Sequence, residues 1–489
     1  MSERVLVYGL AVTGAATVAA LQRRGYDVVV ADDSGADDRR ARAAALGWDL
    51  VVAPDDRRLA AMLAACDTLV PAPGVPEDHR VIRAAQDAGR RIVTELELAY
   101  EWEQNRPGGP RPMLAVTGTD GKTTTTLLTA AMLGAAGLRT VAAGNSEVPL
   151  VEAIDRDLDV FVVECSSFRL AFTSAFRADA AAWLNLAPDH LNWHRDLASY
   201  TDAKARLFAN QRGDDVAIGW VDDPVVMQHL RRAPGRHGTF GASGADYHLA
   251  GPSGSAVLTG PGGSIAEVRA MARALPHDVT NALAASALVM ETGLVEADAV
   301  ATALADFRGP AHRIELIGEG GGVAWYDDSK ATTPHAASVA IRAFDHVVLI
   351  AGGRNKGLDL TPMTATPDRI RAVVAIGEAA DDVAAAFAPA LATSGAPIAH
   401  AASMAEAVDV AGTAARPGDV VVLSPGCASF DWYDGFEARG DDFRRLVELR
   451  LRSPATPSTA CAAAGRSSAG GSSLAPEGPL GAGAEGRRP

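Results

Sequence analysis

Residues 115–126 read AVTGTDGKTTTT, between the short apolar run that starts at Met113 and the helix-periodic stretch TLLTAAMLGAAG at 126–137. A strand running into a glycine-bracketed turn and then a helix is an anion-binding arrangement. Gly118 and Gly121 let backbone N–H groups close on a phosphate, and the next helix N-terminus favours negative charge. In such a loop Lys122 reaches the β- and γ-phosphates, and the hydroxyl of Thr123 suits Mg²⁺. Thr119, Asp120 and Thr124 fill out the same loop. The common form of the motif has glycine where this chain has Val116, so this is a shorter variant.

Outward from this loop, short apolar runs alternate with helical segments. RVLVYG, YDVVVADDS and CDTLVPAPG read as strands of a first β-α-β body, closed by the Pro/Gly stretch RPGGPRP at 106–112. Behind the loop, DVFVVECSSF and ADAAAWLNL read as two more buried strands, and 235–275 as a small antiparallel excursion. A third restart after FRGPAHR carries GVAWYDDS, DHVVLIAGG, RAVVAIG and DVVVLSPG. Strands alternating with helices three times over predict α/β domains with parallel sheets. The expected boundaries are 1–94, 95–309 and 310–453, with 454–489 a disordered tail rich in Ala, Gly, Ser and Pro.

The 489 residues carry a net charge of −15, which argues against coating nucleic acid or anionic lipid. No run of 18 apolar residues is present and MSERVLVYGL is no secretory signal, so a cytoplasmic protein without a membrane span is expected. Four scattered cysteines, Cys66, Cys165, Cys427 and Cys461, form no CxxC pair and imply no disulfide framework. Only four of the 45 basic residues are lysine, at 122, 204, 330 and 356. In an arginine-rich chain, those four positions are candidates for chemistry that needs a primary amine.

Two further segments end near the phosphate loop if the central sheet is parallel, because ligands gather at strand C-termini. Glu164 closes DVFVVE, and His190 lies in NLAPDHLNWH; an oxygen and an imidazole suit a divalent ion. Lys204 follows in SYTDAKARLF. Each also has a plain reading: a cap partner, a loop histidine and a solvated helix residue.

Together TGTDGKTTT, ECSSFRL, NLAPDHLNWH, AKARLF, HDVTNALAA, GPAHRIE, DDSKATTP, GGRNK and LSPGCASFDWYDGFEARG resemble the Mur ligase family, in order over residues 5–450. ECSSF, DHLNWH, PAHR and DSKAT are similar to its D-glutamate-adding branch. The resemblance implies three domains: a Rossmann-like N-terminal domain, a central P-loop ATPase-type domain and a Rossmann-like C-terminal domain. It implies ATP-dependent addition of D-glutamate to UDP-MurNAc-L-Ala through an acyl phosphate, by a monomer. The open alternatives are another amide ligase of the family, or a P-loop nucleotide switch.

Position by position, the resemblance assigns ATP to Gly118–Thr124, Asn281, Arg313 and Asp328. It assigns Mg²⁺ to Thr123, Glu164, His190 and Lys204, with Lys204 carbamylated, and catalysis to Lys122, His190 and Lys204. Val12, Thr13, Asp32, Pro73, Gly74 and Asn145 match the UDP-substrate cradle. Lys330, Thr332, Lys356, Ser429 and Phe436 match the D-glutamate side. The chain departs from the family pattern at Asp120 (usually Asn), Arg169 (usually Gln), Thr333 (often Asn), Ala72 (often Ser), and Ser146–Glu147 (usually Ile-Gly).

Overall fold

The computed structural model describes residues 3–145, 148–191 and 193–452. The expected tail, 454–489, and the departures at Ser146 and Glu147 lie outside the described residues. The protein has three α/β domains, each around its own sheet.

The first sheet is parallel, with β1 (Arg4–Tyr8), β2 (Asp27–Asp32), β3 (Leu50–Val52), β4 (Thr68–Pro71) and β5 (Arg91–Ile92). Its order is β3-β2-β1-β4-β5. In β1, Val5, Leu6, Val7 and Tyr8 are all buried, as expected of a strand covered on both faces. The chain reverses direction across the sheet at β1, which opens a crevice beyond the C-termini of β1 and β4.

The central sheet has nine strands: β6 (Met113–Thr117), β7 (Thr140–Gly144), β8 (Val160–Glu164), β9 (Ala180–Trp183), β10 (Val216–Trp220), β11 (Arg236–Gly241), β12 (Tyr247–Ala250), β13 (Val257–Gly260) and β14 (Gly263–Glu267). Their order is β14-β13-β12-β11-β10-β9-β6-β8-β7. β6 therefore lies between β8 and β9, parallel to both, and the phosphate loop leaves the sheet at its switch point. The stretch 235–275 is antiparallel only in its second half. β11 runs parallel to β10 and β12 parallel to β11, and β13 alone runs against both of its neighbours, β12 and β14. Gly-rich runs this short carry too little periodicity to reveal strand direction.

The third sheet comprises β15 (Glu315–Gly320), β16 (Val323–Asp327), β17 (Val347–Gly352), β18 (Ile370–Ile376), β19 (Ile398–Ala401) and β20 (Val420–Gly426), ordered β15-β16-β20-β17-β18-β19. Only β15 is antiparallel to its neighbour. One apolar cluster runs from Val7 and Leu21 of the first domain to Phe161 and Trp183 of the central one. That continuity fixes the first domain against the central sheet. Among the described residues no helix is long and apolar enough to cross a membrane, and Cys66, Cys165 and Cys427 are free and buried.

Candidate active site

β6 delivers the phosphate loop to the N-terminus of the helix Lys122–Ala135, with Gly121 as its N-cap at φ +81°. A Cβ at Gly121 would lie 2.5 Å from Asn281 Oδ1. The turn thus needs a glycine both for its backbone and for the close approach of Asn281. Asn185, just past β9, shapes the loop from the other side. Its Oδ1 accepts from the backbone N–H of Thr119 and of Asp120, both at 2.9 Å. The Thr119 hydroxyl pairs with Tyr200 Oη at 3.1 Å.

Lys122 folds back on its own loop and donates to the carbonyls of Gly118 (2.9 Å) and Thr119 (2.7 Å). Lys204, from the helix Leu197–Ala209, donates to the same Gly118 carbonyl at 2.6 Å. Its side chain is 1% exposed, and its Nζ lies 4.5 Å from the centre of the Tyr200 ring. The reading of Lys204 as a solvated helix residue is therefore wrong. Two cationic groups converge on one carbonyl in a dry pocket. Burial first, and then the charge of Lys122, push the Lys204 pKa well below the usual lysine value. Burial also lowers the Lys122 pKa, against the attraction of Glu164 and Asp120.

Glu164 ends β8, buried to 1% exposure. Its Oε1 accepts from Asn145 Nδ2 at 3.0 Å, whereas its Oε2 is buried with no hydrogen-bond partner among the described residues. A buried carboxylate oxygen left unpaired calls for a cation or a donor. His190 has φ +54° and packs 4.7 Å, centre to centre, from Phe168. Burial holds its pKa below the usual histidine value. Its nearest carboxylate is Asp189, at 3.3 Å.

The described His, Cys, Asp and Glu residues form one compact threefold cluster, and it lies elsewhere, at His312, Glu315 and Asp327. There His312 Nδ1 is bonded to Asp327 Oδ2 at 2.7 Å, and Glu315 is paired with Arg444. Those groups already satisfy one another.

A cavity of about 410 Å³ opens between the phosphate loop and the third domain. Asp120, Gly121, Thr124, Asn281, Arg313, Asp328 and Lys330 all line it. The sequence reading missed Trp220 and Phe240, which give it apolar walls at the ends of β10 and β11, and His335, which reaches in from the third domain. Asp328 accepts from the Ile314 N–H (3.2 Å) and from Ser424 Oγ (2.6 Å), and burial raises its pKa to about 7.

A second cavity, of about 510 Å³, sits in the first-domain crevice. All six residues assigned to the UDP cradle, Val12, Thr13, Asp32, Pro73, Gly74 and Asn145, line it. Asp32 spends both oxygens on the loop, accepting from the Leu10 N–H at 2.6 Å and the Ser34 N–H at 2.8 Å. Arg169, ion-paired with Glu95, crosses from the central domain and donates to Thr13 Oγ1 at 3.0 Å. Trp193 Nε1 donates to the Pro73 carbonyl at 3.0 Å.

The residues matched to D-glutamate fall into two groups. Lys330 Nζ lies 5.1 Å from the Phe436 ring centre, beside Thr332. Lys356 Nζ lies 5.7 Å from the ring of Phe430, next to the buried Ser429. A backbone bridge between Arg354 and Ala428 ties the two loops of the second group together. Of these five, only Lys330 lines the 410 Å³ cavity.

Three family models match the chain: the MurD-like N-terminal domain of Mur ligases over residues 3–94, the Mur ligase middle domain over 116–289, and the Mur ligase glutamate ligase domain over 312–427. UDP-N-acetylmuramoylalanine–D-glutamate ligase of Frankia casuarinae is 40% identical, over 91% of this chain and 94% of its own length. The enzymes of the same name from Myxococcus xanthus (39%) and Streptomyces coelicolor (36%) align over 91% of this chain and 98% of theirs. Among solved structures, the UDP-N-acetylmuramate–alanine ligase MurC of Thermotoga maritima shares the fold (TM-score 0.57, 19% identity), covering 92% of this chain and 100% of its own. MurF of Thermotoga maritima, crystallised with ADP, shares it too (TM-score 0.55, 18% identity), covering 78% of this chain and 95% of its own.

Proposed function

The chain belongs to the Mur ligase family, and from that premise we propose that it is the member that joins D-glutamate to UDP-MurNAc-L-Ala at the expense of ATP, in peptidoglycan precursor synthesis. The observation that carries this reading is a second nucleotide-sized cavity, in the first-domain crevice, beside the one on the phosphate loop. Asp120 and Gly121 line the first and Asn145 the second, and Asn145 is bonded to Glu164. A nucleotide switch has no use for the second cavity.

ATP enters the 410 Å³ cavity with its base near Asn281 and its phosphates on Gly118–Thr124, where Arg313 and Asp328 meet it. Lys122 exchanges its two carbonyl contacts for the β- and γ-phosphates. The L-alanine carboxylate, held by the cradle of the first domain, attacks the γ-phosphorus, and ADP leaves. The amine of D-glutamate, held by Lys330, Thr332, Lys356, Ser429 and Phe436, then displaces phosphate from the acyl phosphate. Lys122, Lys330 and Arg313 stabilise the negative charge that shifts at each step, which is preorganised electrostatics. His190, its pKa lowered by partial desolvation and by the charges of Lys122 and Lys204, presents its imidazole at the rim of the site.

The unpaired Oε2 of Glu164 and the hydroxyl of Thr123 suit Mg²⁺, which in phosphoryl transfer neutralises the charge of the bridging phosphates. Lys204 supports the carbamate reading. Its amine is buried beside a second cation, so it holds a neutral fraction that can add CO₂ and release a proton, a reaction closed to arginine. The reading includes domain boundaries near 94/95 and 309/310, a monomer and a cytoplasmic location.

The test is phosphate release from ATP, Mg²⁺ and UDP-MurNAc-L-Ala, with a panel of D- and L-amino acids. D-Glutamate alone should drive turnover, and Lys122→Ala should abolish it. Turnover with another amino acid, or none with D-glutamate, refutes the assignment.

A further inference from the structure

Asp120 places a carboxylate on a loop that receives a polyanion, at a position where the family pattern usually has Asn. Left alone it would repel a triphosphate. It has a partner from another domain. His335 Nε2, on the helix Pro334–Arg342, lies 3.0 Å from Asp120 Oδ2, and both residues line the 410 Å³ cavity. The first turn of that helix is well fixed: Thr333 caps it by accepting from the Ala336 N–H, and Pro334 occupies its first position. His335 is therefore presented by a defined helix start, five residues after Lys330, which lines the same cavity.

We infer that Asp120 and His335 form an interdomain latch, in which the imidazolium neutralises the extra carboxylate and holds the third domain, with Lys330, over the nucleotide. The inference rests on the ligase reading for the identity of that nucleotide. His335 is a positioning residue; it touches Asp120 rather than the reacting atoms.

The charges around the pair favour this form. Asp120 and Asp189 face the imidazole, with Arg342 on its own helix. Lys122 and Arg313 face Asp120. The helix packs on the turn Thr361–Thr364 and on β20, neither of which carries a charged side chain. The hydrogen bond to Asp120 raises the His335 pKa above the usual histidine value. The latch is thus charged at low pH and loses its charge as pH rises through that pKa. Both side chains are about half exposed, at 44% and 45%, which sets the scale of the effect.

Titration of the whole protein with ADP, from about pH 6 to pH 9, tests the latch in His335→Ala, Asp120→Asn and the double variant. His335→Ala should weaken ADP binding about 5-fold, the scale of one partly exposed charge pair. The double variant should bind within about twofold of Asp120→Asn alone, because no unpaired carboxylate remains. The wild-type affinity should fall as pH rises through the imidazole titration, and in Asp120→Asn the fall should shrink to the part that Asp328, in the same cavity with a pKa of about 7, contributes. Wild-type affinity in His335→Ala, or a double variant as weak as His335→Ala, overturns the latch. ADP binding is read without D-glutamate, so a failure of the ligase assignment leaves this result standing on its own.

Discussion

Gly121→Ala introduces one methyl group where the phosphate loop turns into its helix. At φ +81° the new Cβ would lie 2.5 Å from Asn281 Oδ1 and 3.2 Å from Leu184 Cδ1. The left-handed backbone costs an alanine about 1 kcal/mol. Displacing Asn281 breaks the 3.3 Å bond it accepts from Thr125 Oγ1, for about 1 kcal/mol more. If both burdens fall on the binding-competent loop, nucleotide affinity drops by about 2 kcal/mol, or about 30-fold in Kd. Gly137→Ala is the matched control. Its φ of +84° imposes the same backbone strain, but a Cβ there meets nothing within 4 Å. It should lower Tm slightly and leave the Kd for ADP unchanged. Calorimetric titration with ADP, alongside thermal melts, reads both quantities. An unaltered Kd in Gly121→Ala, or an equal rise in Gly137→Ala, refutes the argument that this close approach builds the site.

Lys204→Arg keeps a cation on the buried helix face but cannot form a carbamate, so D-glutamate-dependent phosphate release should fall by about 100-fold or more, with the circular dichroism spectrum unchanged. Full activity would remove Lys204 from the chemistry. Glu164→Gln should raise the Mg²⁺ concentration for half-maximal activity about tenfold or more, while ADP binding without metal stays close to wild type; an unchanged Mg²⁺ requirement would separate Glu164 from the metal. Asp328 has its pKa raised by burial to about 7 from the ordinary 3.8, so the folded state holds a proton that the unfolded chain releases, and stability declines as pH rises between those values. The interval corresponds to at most about 4 kcal/mol. Asp328→Asn should therefore melt higher than wild type at pH 8 and close to it at pH 4, as thermal melts across that range would register; a gap that does not change with pH would contradict the assignment.

The parts of this molecule that were legible in the sequence have strong local signatures. The runs VLVY, VFVVE and VVLIAG are continuous apolar strands ending in glycine or polar residues, and the phosphate loop and the DDSK segment each follow directly on such a strand. β7 (TVAAG) and β19 (IAHA) escaped the reading because alanine carries little strand signal and a run of it looks helical. Of the site, the lysines were visible as survivors in an arginine-rich chain. Asn185, Tyr200 and His335 were not. Asn185 shapes the phosphate loop from 65 residues away and His335 reaches Asp120 from 215 residues away. No local pattern records contacts of that span; the order of the central sheet brings Asn185 to the loop, and the packing of the third domain on the central one brings His335 there.

The 510 Å³ cavity draws Gly144, Asn145, Pro149 and Arg169 from the central domain and the rest of its wall from the first. A fragment cut after residue 94 would therefore present a breached bowl, missing the arginine that reaches Thr13 and the tryptophan that ties down Pro73. Screening compounds against the excised first domain would sample a surface that the intact enzyme never exposes. A screen therefore needs the first and central domains together.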